Sequence, residues 1–453
     1  MSEEKEFSES SFKAGMYLLE NLTSGMYNDP LSIYREYIQN AVDSIDIGLS
    51  EGTINSAIVD ITLDPFNKRI SIRDNGVGIP AKMAKNILSS IGSSNKHERH
   101  LRGFRGIGRL GGIAFSDRAT FRTKSYGDKI ESVQEWDCLK LRQIINSRQY
   151  SLTFKELFDN VTTFSQSNGA QPNHNYFEVI LDGVSSFRNH VFDIEKIHNY
   201  ISQVAPVPFN YESFSNGKII DQHLSNCLSF HKTYDISLNG NKIYKPYRDV
   251  INTSLKNGGG ADTIKAINFF EINDRNDQPL GYGWYGLREH LLGAIKKGEK
   301  YSGIRVRVGN ILIGDSHLLD KCFREERFNS YIIGEIYVDS PQLIPNSRRD
   351  DFIDNDVKTH FYNSIEKTVG LPLSKEIRLR SRVMSTPKQS NSHPSERPIA
   401  KITANINDDV KDVKKAEASA DFKTLQAINI INEIRTKCNK CDKLSNISGI
   451  FDY

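Results

Sequence analysis

The stretch Ile33 to Asp46, IYREYIQNAVDSID, constrains this chain more than any other. On a helix of 3.6 residues per turn Glu36, Asn40 and Asp43 share one face, while Tyr34, Ile38, Ala41 and Ile45 repeat on the opposite one. One face suits a core and the other a polar site. A carboxylate one turn from an amide is what a nucleotide site needs, the first to take a proton from water and the second to hold a hydrated Mg2+. An amphipathic helix with such a stripe is more often simply solvated on that side, so a second feature has to decide.

Arg69 to Pro80, RISIRDNGVGIP, supplies it. Ile70 and Ile72 alternate with Arg69, Ser71 and Arg73, the pattern of a half-buried strand, and the strand delivers Asp74 to a loop in which Gly76 and Gly78 allow close backbone approach. Ala57 to Leu63 reads as the partner strand, with a turn at Asp64 to Lys68. Together REYIQNAVDSID and DNGVGIP resemble the N box and first glycine box of the GHKL ATPase superfamily. That group holds the ninety-kilodalton heat-shock chaperones, MutL-type mismatch repair proteins, type II topoisomerase ATPase subunits and histidine kinases.

The resemblance implies an N-terminal Bergerat-fold ATPase domain, an α/β sandwich, with ATP as ligand and Mg2+ as cofactor. It implies Glu36 as general base, Asn40 on the metal and Asp43 in the nucleotide site. Asp74 would accept the adenine amino group, a role suited to a rigidly placed, acceptor-only carboxylate. Gly76, Gly78 and Ser90 would line the same pocket. Where the superfamily has Gly-Thr before the last strand of this domain, here stands His174-Asn175-Tyr176, with Asn175 in the threonine's place.

Ala81 to Ile91 carries Met83, Ile87, Leu88 and Ile91 on one side, a short helix stopped by Gly92. Gly92 to Gly112, GSSNKHERHLRGFRGIGRLGG, then interleaves Lys96, Arg99, Arg102, Arg105 and Arg109 with glycines. Such a loop can wrap a triphosphate, and a basic arm that binds nucleic acid has the same look. Its position resembles the ATP lid. LSSIGSSNK is similar to the heat-shock segment ending in the lid lysine, which implies Lys96, whereas GFRG matches the MutL lid. Gly103, Arg105, Gly106 and Gly108 are the remaining implied phosphate contacts, and the lid does not choose between branches.

Strands at Ala119 to Tyr126, Lys129 to Trp136 and Tyr176 to Leu181 complete a domain over 1–210. An α+β domain is expected over 228–381. It comprises a hairpin from Tyr234 to Tyr247, a flexible Gly258 to Gly260 loop and strands at Lys265 to Asn273 and Gly281 to Trp284. A helix near Gly286 to Lys297 follows, then strands at Gly303 to Ile313 and Tyr331 to Val338. This arrangement resembles the middle, or transducer, domain of the superfamily. GEIYVDSPQLIPNSRRDDF, residues 334–352, is similar to the chaperone segment bearing a γ-phosphate-sensing arginine. Arg349 preserves the basic-acidic order with Asp350, while Ser347-Arg348 aligns as well.

Residues 11–26 read as a helix, which in the heat-shock family helps two ATPase domains pair. Residues 382–400 are a Ser/Pro/Asn-rich linker, and 401–453 a short helical segment with a stripe of Phe422, Leu425, Ile428, Ile431 and Ile434. Cys438 and Cys441 lack the second ligand pair that zinc requires.

The composition excludes several classes. Among 453 residues, 59 Lys plus Arg face 56 Asp plus Glu, so net charge argues for neither nucleic acid nor a membrane surface. No run approaches the roughly 18 apolar residues of a membrane helix, the polar N-terminus predicts no signal peptide, and five scattered cysteines form no disulfide framework. Histidine kinases are disfavoured because their ATPase domain follows a dimerising helix.

The expectation is a cytoplasmic, Mg-dependent, chaperone-like ATPase. ATP would close the lid and dock the middle domain, with a protein client and a nucleotide-dependent homodimer as partners. The alternatives are a MutL- or topoisomerase-like nucleic-acid clamp, or a noncatalytic ATP-gated interaction module of a bacterial defence or stress system.

Overall fold

The computed structural model describes residues 29–90, 108–147, 153–169, 171, 174–185, 191–228, 231–255 and 258–385. The chain divides into two units, 1–386 and 387–453, and the second lies wholly outside the described residues. The helix expected at 11–26, most of the linker, the C-terminal stripe and the Cys438/Cys441 pair lie outside them too.

Helix α1 (Ser32–Ser50) is the pillar of the first layer, and Ile33, Tyr34, Ile38, Val42 and Ile45 are fully buried along it. It ends at Gly52, whose φ of +68° turns the chain where an L side chain would be strained. The hairpin β1 (Ile58–Asp64) and β2 (Arg69–Asp74) packs beneath it, with Val59, Ile61, Leu63, Ile70 and Ile72 in the core. Then come α2 (Ala81–Ser89), a 3-10 turn at Gly108–Ala114, β3 (Arg118–Lys124), β4 (Ile130–Asp137), α3 (Cys138–Asn146) and α4 (Phe154–Val161). Strands β5 (Thr162–Asn168) and β6 (Tyr176–Asp182) and helix α5 (Ile194–Val204) follow.

Next the chain interleaves its two sheets. Helix α6 (Gly217–Cys227) packs on the second sheet, where Phe209, Phe214, Ile220 and Leu224 meet Tyr247 and Trp284. The chain then returns as β7 (Asp235–Leu238) and β8 (Asn241–Lys242), and β7 pairs in parallel with β1. The first sheet thus has eight strands in the order β5-β4-β3-β6-β2-β1-β7-β8. This corrects the expectation that the 234–247 hairpin opens the middle domain. Its apolar residues Ile236, Leu238 and Ile243 fill the first core, and the β1 edge supplies backbone partners that would otherwise go unpaired.

The second sheet comprises β9 (Val250–Leu255), β10 (Gly258–Asn273), β11 (Pro279–Arg288), β12 (Ala294–Ile295), β13 (Gly303–Val308), β14 (Ile311–Ile313) and β15 (Ile333–Val338). Their order is β12-β9-β10-β11-β15-β13-β14. Helix α7 (Asp356–Ile365), a π-turn at Glu366–Gly370 and α8 (Leu371–Ser385) cover the face opposite α6.

Three local expectations are corrected here. Gly258 to Gly260 are not a loop but the first residues of β10, paired with β9. No helix forms near 286–297: β11 runs through Arg288, whose guanidinium is tied to Asp262 and to the carbonyls of Leu292 and Gly293, and left-handed Leu291 and Gly293 break any helix. The strand expected over 303–313 folds back at Gly309-Asn310 into β13 and β14. The architecture is α+β throughout. No helix among the described residues is long and apolar enough to cross a membrane.

Candidate active site

Along α1 the buried residues leave one stripe partly open, and Glu36 and Asn40 lie on it. Asp43, one turn further on, is fully buried beneath them. The Tyr37 hydroxyl accepts the Gly112 N–H at 3.0 Å and ties the 3-10 turn to α1. That turn brings Gly108 so close that a Cβ there would stand 2.8 Å from Glu36 Oε2 and 3.7 Å from Asn40 Nδ2. Gly108 thus brings its backbone against the Glu36 carboxylate, and a side chain there would push that carboxylate aside.

Asp74 ends β2 nearly buried, and its Oδ1 accepts the Gly76 N–H at 2.8 Å. The Asn175 amide nitrogen donates to the carbonyls of Asn75 at 3.0 Å and Gly76 at 2.6 Å, so the residue in the superfamily threonine's place clamps the glycine loop. Gly78 has φ +64°, and a Cβ on it would collide with the Lys124 carbonyl at 2.0 Å. Thr123 fixes the same loop, its hydroxyl accepting the Ile79 N–H at 2.8 Å and donating to the Tyr176 carbonyl at 3.2 Å. Lys124 is buried beside it, donating to the carbonyls of His174 and Ser125, and burial lowers its pKa. Ser90 sits at the end of α2, its hydroxyl donating to the Asn86 carbonyl at 2.7 Å.

Across from α1 stands the loop 345–352. It is closed by a bridge between Pro345 and Phe352 and by the Asn346 N–H donating to the Asp351 carbonyl at 2.8 Å. Arg349 takes a left-handed φ of +57° at its tip, and its Nε lies 3.5 Å from Glu36 Oε1, both side chains being 12% exposed. Arg35 Nε stands 3.4 Å from the same oxygen, while Arg35 Nη2 donates to the Arg348 carbonyl at 3.3 Å. Of the two candidate arginines, Arg349 therefore presents its guanidinium to Glu36. Arg348 presents a carbonyl, and its side chain is exposed. From the side, Tyr200 of α5 closes in, its hydroxyl pushed up to about 12 by burial.

Lys96, Gly103, Arg105 and Gly106 lie outside the described residues. Arg35, Tyr37 and Thr123 are the contributors that sequence reasoning missed. Arg35 adjoins Glu36 in the chain, and that adjacency was the one available signal. No group of three or more His, Cys, Asp and Glu among the described residues could hold a metal. Mg2+ needs none where substrate phosphates and water complete its shell.

Residues 32–167 match the family described as histidine kinase-, DNA gyrase B-, and HSP90-like ATPase. The chain is 28% identical over 148 residues to the chaperone protein HtpG of Acinetobacter baylyi, covering 28% of this chain and 23% of that one. It is 27% identical over 147 residues to HtpG of Albidiferax ferrireducens, covering 28% and 22%. To HtpG of Klebsiella pneumoniae it is 28% identical over 141 residues, covering 26% and 22%. The chain thus spans less than a quarter of the length of these curated relatives. The match falls on the stretch that builds the Glu36–Asp74 side of the site, and the chain accordingly carries an ATPase domain of the GHKL superfamily that resembles that of HtpG.

Proposed function

We propose that this chain is a Mg-dependent ATP hydrolase in which ATP closes the lid and docks the middle sheet onto the nucleotide. The observation that carries the reading is the approach of Arg349 to Glu36 beneath Gly108, because it gathers a base, a cation and open backbone at one point. Glu36 takes the proton of the attacking water, and Asp74 receives the adenine amino group beside Gly76 and Gly78. Asn40, with the substrate phosphates, would hold a Mg2+ ion, which would supply charge neutralisation there. Buried Asp43 supports Asn40 from below, and Ser90 borders the pocket.

Lys96, Gly103, Arg105, Gly106 and Gly108 belong to the lid that covers the phosphates. Arg349 turns from Glu36 to the γ-phosphate as charge develops on it, and Arg348 stays a backbone contact. A guanidinium brought from outside the nucleotide's own sheet can be worth ~10³ or more in phosphoryl-transfer rate, so docking is itself the switch. The likeness to proteins named chaperone protein HtpG supports a chaperone-like clamp cycle with a protein client, pairing of two copies in the ATP state and a cytoplasmic setting.

Calorimetry with a nonhydrolysable ATP analogue tests the division of labour. Asp74→Asn should abolish binding, since Asp74 holds the ground-state base, whereas Glu36→Ala should bind normally and not hydrolyse. Equal loss of affinity in both variants would sink the assignment.

A further inference from the structure

The hydrogen bonds that hold Arg349 in place lead away from the nucleotide side and then return to it. The Arg349 carbonyl accepts the N–H of Gly314 at 2.8 Å. Gly314 directly follows the fully buried strand β14, which is joined to β13 by a two-residue turn, Gly309-Asn310, with φ of +55° and +63°. Two consecutive left-handed residues make the tight hairpin turn that glycine and asparagine favour. Asn310 does more than turn the chain. It is 3% exposed, and its Nδ2 donates to the Lys232 carbonyl at 2.8 Å, in the segment that leads into β7 of the first sheet. Two residues on, the Tyr234 hydroxyl donates to Asp46 Oδ1 at 2.7 Å, and the Lys232 ammonium stands 3.4 Å from the same oxygen. Asp46 lies on α1, three turns from Glu36. The path therefore closes a ring, from α1 through 232–234, the Asn310 turn, β14 and Gly314 to Arg349, and back to α1 at Glu36.

Behind the turn lies a buried charge cluster. Arg307 donates to the Asn310 carbonyl at 3.2 Å and to Glu335 Oε1 at 2.6 Å. Lys245 Nζ lies 2.9 Å from Glu335 Oε2, and all three charged side chains are fully buried. Tyr247 donates to the same carboxylate at 3.0 Å, and Tyr337 donates to it as well. Arg307 further donates to the Gln203 carbonyl at 2.8 Å, where the C-terminus of α5 favours a cation. Buried ionic groups of this kind contribute little net stability, and a defined geometry is the best-attested return on keeping them.

We infer that Asn310 is a positioning residue for the ATPase reaction: its side-chain amide pins the β13–β14 turn to the nucleotide-binding layer and thereby sets Arg349 against Glu36. The inference rests on the proposed reading of Arg349 and Glu36 as partners in hydrolysis. The competing explanation is that asparagine stands here only because its backbone is left-handed. Asn310→Gly separates the two, since glycine keeps the turn and deletes only the amide. Asn310→Asp keeps the shape and removes the donor.

Both variants in the full chain should lower kcat on the order of tenfold to a hundredfold while leaving ATP affinity unchanged, as expected for a misplaced reacting group. Combined with Arg349→Ala, neither should lower kcat further, because both act through one contact. Hydrogen exchange should quicken over residues 311–314 and 345–352. Wild-type kcat in Asn310→Gly, losses that add fully to that of Arg349→Ala, or unchanged exchange at Gly314 would each overturn the inference. If the wild-type chain does not hydrolyse ATP, the proposed function falls, and the exchange measurement alone upholds or overturns the joint.

Discussion

Helix α1 and the loop 345–352 face each other across Glu36, and they are anchored by opposite physics. The helix is set in oil: Ile33, Ile38, Val42 and Ile45 are fully buried, each worth ~1.5–3 kcal/mol in transfer free energy. The loop has Leu343 and Phe352 in a core at its base, but its tip is oriented by hydrogen bonds, from Gly314 to Arg349 and from Asn346 to Asp351 and Asp350. Apolar burial is non-directional and holds an element firmly without fixing its last ångström. Hydrogen bonds are weaker net but steeply dependent on geometry. Stability and alignment are thus separable at this site, and variants should divide accordingly.

The largest effect on stability is expected where the polar side is broken outright. Glu335→Ala leaves Lys245 and Arg307 buried without their carboxylate and should cost about 3–5 kcal/mol in urea unfolding. A loss near zero would mean that water enters the cluster and that the joint is soft. On the apolar side, Ile38→Ala should cost about 2–5 kcal/mol of stability, yet the folded fraction should keep near-normal kcat. A large kcat loss there would show that the helix, too, is aligned by packing.

Arg349→Ala should do the reverse. Stability should hardly change, while kcat falls about a hundredfold, equivalent to roughly 2.7 kcal/mol, with ATP affinity nearly intact. Steady-state assays decide this, and Arg348→Ala provides the contrast, since only its carbonyl reaches the site. Near-normal turnover in both variants would remove the loop from catalysis.

The smallest effect is a pH dependence within the joint. Burial, with Arg307 nearby, lowers the Lys245 pKa to about 7 despite the pull of Glu335. The native pKa lies below the unfolded one, so above about 7 and up to the ordinary lysine value the unfolded chain holds a proton that the native chain has released. Stability from this group therefore rises with pH across that window, and the cost of the buried ammonium is borne in full below it. Urea midpoints of the wild type should lie furthest below those of Lys245→Met at low pH and close on them as pH rises through that window, and the wild type alone should show the rising limb. Parallel curves would assign the titration elsewhere.

The features legible in the sequence were those written in near neighbours. The 3.6-residue period placed Tyr34, Ile38, Ala41 and Ile45 in the core, and the two-residue period did the same for Ile70 and Ile72, so α1 and the Asp74 strand could be read directly. Tertiary structure decided what depends on distant partners. A hairpin such as β7–β8 reads the same whichever sheet edge it joins, and only the open edge of β1 assigned it to the first sheet. The glycines at 258–260 look like a loop until β9 pairs with them. The fold also distinguished Arg349 from Arg348, because a left-handed tip aims one guanidinium at Glu36 and leaves the other in solvent. Periodicity is local information, whereas the meeting of Arg35 with the Arg348 carbonyl joins positions 313 residues apart, and no pattern along the chain encodes that.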